Sequence, residues 1–166
     1  MIRQLALPDL EDYIRLRREA LAQEPLAFGS SPADDRAESA SVLREILASR
    51  DEAIFGAFVP HLVGAAGIYR ESGEKSRHKV NIWGVYVTPA HRRRGIGRAL
   101  VEAALTFARS LEGARQVQLC VTEHAKGART LYQQLGFLTW GIEPDALRVG
   151  EMSVAEHHMV LVLVRR

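Results

Sequence analysis

Residues 85–105 read VYVTPAHRRRGIGRALVEAAL, and this stretch decides the fold. An apolar strand pattern stops at Pro89, three consecutive arginines follow, and a Gly-x-Gly turn opens a helical pattern. Each cation beside a helix N-terminus costs a few tenths to about 1 kcal/mol, because the macrodipole is positive there. Free N–H groups of the first helical turn and the guanidinium groups therefore predict an anion site. The alternative is a solvated basic loop, as most charge runs are.

The glycine spacing excludes two common phosphate-binding loops. A dinucleotide fingerprint needs a third glycine at position 100, where this chain has Leu100. A Walker A loop needs Lys and Ser/Thr directly after its last glycine, whereas Arg98 and Ala99 follow Gly97. The predicted anion therefore belongs to another phosphate-bearing ligand.

The strand before the arginines changes the phase of its apolar alternation. Val80 and Ile82 occupy even positions, but Val85 and Val87 continue the pattern on odd ones. A slip of one residue is typical of a β-bulge, and Gly84 lies at the slip. A bulge leaves backbone groups free for another partner, although a simple kink over the core would give the same pattern.

The pattern over the rest of the chain predicts a mixed α+β sheet in one domain, residues 1–166. Strands joined by tight turns, as at Pro60–His61, come first, and two helix crossovers follow. This order excludes the regular alternation of a doubly wound dinucleotide fold. We expect about seven strands and about four helices. The predicted strands are 1–7, 53–59, 62–69, 79–87, 116–121, 137–142 and 157–164; the predicted helices are 8–21, 34–49, 97–111 and 125–135, and 143–156 is predicted to be a loop.

Composition and charge narrow the function classes. A net charge of +2 gives no field that would attract nucleic acid or a membrane surface, and the arginine run lacks interleaved aromatic residues. No stretch approaches the roughly 20 apolar residues of a membrane span, and the N-terminus lacks a secretory pattern. The single Cys120 cannot form an internal disulfide, and its apolar surroundings predict a buried thiol. We expect a cytoplasmic protein without nucleic-acid or membrane partners.

The stretch at 85–105 resembles motif A of the GNAT superfamily, the acyl-CoA-dependent N-acyltransferases. Its Arg/Gln-x-x-Gly-x-Gly/Ala signature is matched by Arg92, Gly95 and Gly97. ARTLYQQLGF at 128–137 resembles the second cofactor motif of that family. The order of elements also resembles the family fold over nearly the whole chain. The resemblance implies a mostly antiparallel mixed sheet whose fourth strand is bulged and splayed from its neighbour.

The resemblance also implies acetyl-CoA as the acyl donor. Backbone N–H groups from Arg93 to Arg98 would bind the pyrophosphate, and the bulged strand would pair with the pantetheine arm like an added strand. The family assigns protonation of the leaving thiolate to Tyr132. Tyr132 shares a helical stripe with Leu131 and Leu135, so a purely structural role remains the alternative. The cofactor-binding residues implied are Val85, Tyr86, Val87, Arg92, Arg93, Arg94, Gly95, Ile96, Gly97, Arg98 and Ala128.

The chain departs from the family pattern at two places. Many members carry Asn where this chain has Ala125, which removes one polar contact to the cofactor arm. Many also carry a catalytic Glu on the fourth strand, but Lys79–Val87 contains no carboxylate. The general base therefore stays open, and a water chain could replace it. The candidates are Glu71, Glu123, His124, Glu143, Glu156 and His157.

The acceptor is expected opposite the cofactor, near the loops 24–32 and 143–156. The second loop carries more acidic than basic residues, which favours a cationic amine. The pair His157–His158 beside Glu156 is not expected to bind metal, because neighbouring strand residues point to opposite faces. If the apolar last strand lies at a sheet edge, it must be covered, and a homodimer is one way to cover it.

Together these patterns predict an N-acetyltransferase. It would transfer the acetyl group of acetyl-CoA to a primary amine of a small molecule or peptide, by direct attack in a ternary complex. The alternative is a non-catalytic acyl-CoA-binding sensor module, which the missing strand carboxylate and the missing Asn leave open.

Overall fold

A computed structural model of the chain describes residues 1–163, apart from the side chain of Glu38. It contains a seven-stranded mixed sheet with strand order β1-β2-β3-β4-β5-β7-β6 and four α-helices, as the sequence predicted. Among the described strands, β4 and β5 form the one parallel pair. The strands are β1 (Ile2–Gln4), β2 (Glu52–Val59), β3 (His61–Arg70), β4 (Lys79–Val87), β5 (Gln116–Thr122), β6 (Leu138–Val149) and β7 (Met152–Val162); the helices are α1 (Leu10–Gln23), α2 (Ala40–Ala48), α3 (Ile96–Ser110) and α4 (Lys126–Gln134).

Helices cover both faces of the sheet. On one face α3 and α4 bury an apolar cluster that includes Val101, Leu105 and Leu119. On the other face α1 and α2 cover β2, β3 and β4, where Tyr13 and Leu43 are buried. No helix within residues 1–163 is long and apolar enough to cross a membrane.

The predicted bulge is present in β4. Ala65 pairs with Tyr86 and Gly67 pairs with Trp83, so Gly84 and its neighbour lie opposite a single residue of β3. Gly84 has φ +61°, a left-handed conformation that residues with a side chain disfavour. Beyond Asn81, β4 no longer pairs with β5. The two strands therefore separate and leave a gap in the middle of the sheet.

Two predicted boundaries were wrong. Residues 143–156 are not a loop, because β6 and β7 continue into a long hairpin that turns at Gly150. The register is irregular between Glu143 and Leu147, and this irregularity accommodates Pro144 within an edge strand. The helix predicted at 34–49 begins only at Ala40, since a short 3₁₀ turn occupies Arg36–Glu38.

The two edges of the sheet are β1 and β6, and the last described strand, β7, lies inside the sheet between β5 and β6. The homodimer was expected if the last strand lay at a sheet edge. Because β7 is an inner strand, that condition is not met. The described part of that strand ends at Val162; the predicted strand residue Val164 lies outside the described residues. The edge strand β6 carries Leu138, Trp140 and Ile142 on its surface.

The conformation of Gly84 generates a stability prediction. Gly84→Ala places a Cβ at positive φ, 3.3 Å from Nη1 of Arg17, and should lower the free energy of unfolding by roughly 1–2 kcal/mol. Gly127→Ala is the matched control, because a Cβ there meets nothing within 4 Å and α4 favours alanine. It should be neutral or stabilise by up to about 1 kcal/mol. Urea unfolding of both variants measures the difference, and equal effects would contradict the assignment of strain to Gly84.

Candidate active site

The arginine–glycine turn presents a row of free backbone N–H groups. Arg93 and Gly95 both have left-handed φ angles, +60° and +77°, and Gly95 is the N-cap of α3. In the described part of the chain, the first N–H of this helix with a carbonyl partner is that of Ala99, 3.0 Å from the Gly95 oxygen. The N–H groups of residues 93–98 therefore lack backbone partners, which is the geometry of an anion-binding turn.

The side chains of the arginine run differ in their surroundings. Arg92 has a structural role: its Nε donates to the Val87 carbonyl at 2.9 Å, and its Nη2 lies 2.8 Å from a carboxylate oxygen of Glu24. Arg98 pairs with Glu102 on α3. Arg93 and Arg94 are exposed, and within residues 1–163 neither forms an ion pair. These two are the guanidinium groups available to an anion.

The bulged half of β4 adds a second set of free backbone groups beside this turn. Residues 82–87 have lost β5 as a partner on one side. The Tyr86 side chain is buried on the α1 face, where its hydroxyl donates to Glu19 at 2.9 Å. Burial, with the hydrogen bond to Glu19, raises the pKa of Tyr86 to about 12. These groups are available to an extended ligand, which would pair with this half of β4 as β5 pairs with residues 79–81.

Tyr132 lies on α4, in the apolar cluster on the α3/α4 face of the sheet that also contains Ile82 of β4 and Leu119 of β5. Its position is fixed by the end of α4: the Phe137 N–H bonds to the Tyr132 carbonyl at 3.0 Å around Gly136 (φ +95°), and the two rings pack edge to face at 5.9 Å. This is a Schellman-type helix end. Burial raises the pKa of the Tyr132 hydroxyl, so it stays protonated. Within the described residues the hydroxyl has no hydrogen-bond partner.

A second unpartnered hydroxyl lies at the end of β5. Thr122 is 1% exposed, and its Oγ1 finds no partner among the described residues. It lines a cavity of about 250 Å³ between residues 23–27 and Ala125. A buried hydroxyl without a partner costs free energy unless water or a ligand satisfies it. Sequence analysis missed this residue, because a threonine ending a strand gives no functional signal.

On the α1 side, the gap between β4 and β5 opens into a cavity of about 330 Å³. Residues 27–30, from one of the loops at which the sequence analysis expects the acceptor, form part of its wall, and Phe28, Trp83 and Trp140 supply aromatic surface. The cavity reaches through the gap to Leu119 of the α3/α4 core.

Three polar side chains cluster in this cavity: Cys120, Glu156 and His158. Sγ of Cys120 lies 3.2 Å from Nδ1 of His158, and Nε2 of His158 lies 2.7 Å from a carboxylate oxygen of Glu143. Partial desolvation at the cavity wall, with the carboxylates of Glu156 and Glu143, raises the pKa of the Cys120 thiol to about 11. Burial also raises the pKa of Glu156.

Cys120 is exposed, so the prediction of a buried thiol was wrong. Strand β5 alternates, with Leu119 and Val121 facing the α3/α4 core and Cys120 facing the opposite side. The apolar residues around Cys120 in the sequence indicated a buried strand, but they could not show that this part of its second face carries no helix.

The structure separates the candidate bases. Glu143 and Glu156 are brought together at the cavity, and His158, which the sequence analysis did not propose as a base, joins them because it lies opposite Cys120 in the register. The other four lie elsewhere: Glu71 accepts a hydrogen bond from Asn81, Glu123 accepts one from the Ala155 N–H, His124 is exposed beyond β5, and Nε2 of His157 lies 2.7 Å from Arg129.

A buried ion pair supports the cavity beneath the bulge. Arg17 contacts both carboxylate oxygens of Asp35 at 3.0 Å, and the two side chains are 6% and 4% exposed. The guanidinium also lies 5.1 Å from the Phe28 ring and 5.7 Å from the Trp83 ring. The pair thus holds α1, the segment before α2 and β4 together at the cavity wall.

Residues 14–137 match the family model described as "Acetyltransferase (GNAT) family". The chain is 34% identical over 96 residues to the streptothricin acetyltransferase of Streptomyces lavendulae, covering 58% of this chain and 50% of that protein. It is 32% identical over 130 residues to the mycothiol acetyltransferase of Salinispora arenicola, covering 72% of this chain and 40% of that protein. The chain therefore spans half or less of the length of these curated relatives.

The fold is also that of known structures. A phosphinothricin acetyltransferase from Sinorhizobium meliloti, solved in complex with acetyl-CoA, superposes with a TM-score of 0.85. The superposition covers 98% of this chain and 88% of that chain at 20% sequence identity. At this identity the likeness establishes the shared fold.

The ion pair beneath the bulge gives the prediction for this site. Arg17→Met leaves the Asp35 carboxylate buried and unpaired, and should lower the free energy of unfolding by about 3–5 kcal/mol. Replacing both residues, Arg17→Met with Asp35→Leu, should recover most of this loss because no buried charge remains. Glu102→Gln, which removes an exposed ion pair, should change stability by less than about 1 kcal/mol. Urea unfolding tests all three, and a double variant as unstable as Arg17→Met would contradict the account.

Proposed function

Because this chain belongs to the GNAT family of acetyltransferases, we propose that it transfers the acetyl group of acetyl-CoA to a primary amine of a small molecule or peptide, by direct attack in a ternary complex. The observation that carries this proposal is the gap between β4 and β5. Free backbone groups border it near the turn at residues 93–98, and the cavity opens from it toward α1. The donor would thus enter the gap between β4 and β5 from the side of the turn, and the acceptor from the cavity on the α1 side.

The donor end is supported by three features of the described residues. The free N–H groups at 93–98, with Arg93 and Arg94, suit a pyrophosphate, and the unpaired half of β4 suits the amide groups of a pantetheine arm. The unpartnered Thr122 hydroxyl lies near Ala125, where many family members carry Asn. In this chain we assign the polar contact to that arm to Thr122. The structural neighbour from Sinorhizobium meliloti holds acetyl-CoA.

The chemistry requires the amine nitrogen to attack the thioester carbonyl while the carbon–sulfur bond breaks. The nitrogen gives up its proton to water, and the departing thiolate takes a proton from the Tyr132 hydroxyl, which water then reprotonates. That hydroxyl is protonated, buried and without another partner among the described residues. A general acid of this kind contributes typically 10²–10⁴-fold to a rate. The backbone N–H groups around the bulge are the donors available to the carbonyl oxygen.

The acceptor proposed is a small cationic amine. The Glu156 carboxylate lines the cavity, the Glu143 carboxylate contacts His158 at its wall, and Phe28, Trp83 and Trp140 offer rings to a cation. A cavity of about 330 Å³ suits a small molecule or a single peptide terminus. Two of the relatives are named streptothricin acetyltransferase and mycothiol acetyltransferase. Both names refer to small molecules, which supports a small-molecule acceptor.

Two further parts of the proposal concern the cellular setting. We expect the enzyme in the cytoplasm, where a single unpaired cysteine remains reduced.

We still expect a homodimer, because β6 is an edge strand with exposed apolar residues and an uncovered edge strand invites pairing. Size-exclusion chromatography decides between monomer and dimer.

The first test is thermal unfolding with acetyl-CoA, with NADH and ATP as controls. A ligand at about 100 times its dissociation constant adds roughly 2.7 kcal/mol to stability, and each kcal/mol raises the melting temperature by roughly 2–4 °C at this chain length. We expect a shift of that size with acetyl-CoA alone, followed by thiol release with amines. A shift without turnover across a broad amine panel would favour the sensor module, and no shift would contradict acetyl-CoA binding.

The second test replaces the proposed acid. Tyr132→Phe should lower kcat by about 10²-fold or more and leave the affinity for acetyl-CoA nearly unchanged, because only the hydroxyl is lost. Tyr13→Phe is the matched control, because Tyr13 is equally buried but belongs to α1, on the opposite face of the sheet. It should keep kcat. A Tyr132→Phe enzyme with full turnover would assign Tyr132 to the core alone.

A further inference from the structure

The polar cluster in the cavity has the composition of a metal site. Sγ of Cys120, a carboxylate oxygen of Glu156 and a ring nitrogen of His158 all lie within 4.8 Å of one another. Cys120 pairs directly with His158 across β5 and β7, and Glu156 precedes His158 by two residues on the same face. A tetrahedral zinc ion, with bonds of about 2.0–2.3 Å, needs its ligands roughly 3.3–3.8 Å apart. Small side-chain rotations on fixed strands therefore suffice.

The orientation of His158 supports this interpretation. Nε2 is engaged by Glu143 at 2.7 Å, which leaves Nδ1, 3.2 Å from Sγ of Cys120, as the nitrogen that faces the cluster. Metal-binding histidines almost always have their second nitrogen held by a carboxylate, carbonyl or water in this way. The Trp140 ring, 5.4 Å from the His158 ring, packs beside the imidazole.

The access and the donor types decide the kind of ion. Cys120 is exposed and the other two are half-buried, so a fourth position remains open toward the cavity. A thiolate, an imidazole and a carboxylate together favour Zn²⁺ over Mg²⁺ or Ca²⁺, which prefer oxygen ligands alone.

We propose that the chain binds one Zn²⁺ ion through Cys120, Glu156 and His158, with Glu143 orienting the imidazole and water completing the coordination. On binding, the thiol proton passes to solvent and a sulfur–zinc bond forms. The sequence analysis did not expect a metal site, because neighbouring strand residues such as His157 and His158 face opposite sides. The two side chains are indeed separated, and His157 contacts Arg129. The third ligand comes from the neighbouring strand, where sequence spacing does not show it.

The experiment titrates Co²⁺ into the reduced, tag-free protein without acetyl-CoA. Cys120 is the only cysteine, so a thiolate-to-cobalt charge-transfer band can arise only from this residue. We expect a band that saturates at one equivalent and disappears when Zn²⁺ is added. Cys120→Ser should abolish the band, Glu143→Gln should weaken Zn²⁺ affinity by about 10–100-fold, and His157→Asn, the matched control, should leave it unchanged.

Two outcomes would overturn the proposal. One is the absence of a saturable band in protein whose melting curve shows that it is folded. The other is equal Zn²⁺ affinity in wild type, His158→Asn and Glu156→Gln, which would indicate binding by the thiol alone; either variant suffices if the other does not fold. Because metal binding is measured without acetyl-CoA, its failure is distinguishable from failure of the acetyltransferase proposal.

Discussion

The site depends on one interruption of the hydrogen-bond ladder between β4 and β5. The two strands pair over three residues from Lys79 and then diverge, because the bulge at Gly84 turns the second half of β4 away. Unpaired backbone groups in the middle of a sheet would be costly if buried without partners. Here the groups of residues 82–84 border the open cavity on the α1 side. The departure from regular β structure therefore creates the binding geometry at this cavity.

The elements around this gap hold it open. The Arg17–Asp35 pair braces the α1 face, while the Schellman-type end of α4 fixes Tyr132 against Phe137 on the other. Arg92, which the sequence analysis treated as an anion ligand, ties the end of β4 to Glu24 after α1. The two ion pairs join segments that are separate in sequence, whereas the end of α4 is a local structure, so the gap depends on tertiary packing as well as on local propensity.

The sequence was sufficient for those features that are encoded locally. The slip of alternation at Gly84 predicted the bulge, and the helix predicted at 125–135 agrees with α4, because strand and helix periodicity depend on residues close together in the sequence. The cluster at Cys120 and the Thr122 hydroxyl could not be predicted, since they depend on the register between β5 and β7 and on which part of the sheet the helices leave uncovered. Pro144 misled the prediction of 143–156, because a single sequence does not reveal that this strand lies at an edge.

The short pairing between β4 and β5 also has a consequence for folding. Strands β1 to β4 are neighbours in the sheet in chain order, and β2, β3 and β4 are joined by short connections, so most of their contacts are local and should form early. In the other half, β7 lies between β5 and β6, so these two strands both lack their shared neighbour until β7 is in place. We expect refolding in two kinetic stages, with the assembly of β5, β7 and β6 as the slower one. During synthesis the first half could acquire its structure while the strand that completes the cavity is still being made.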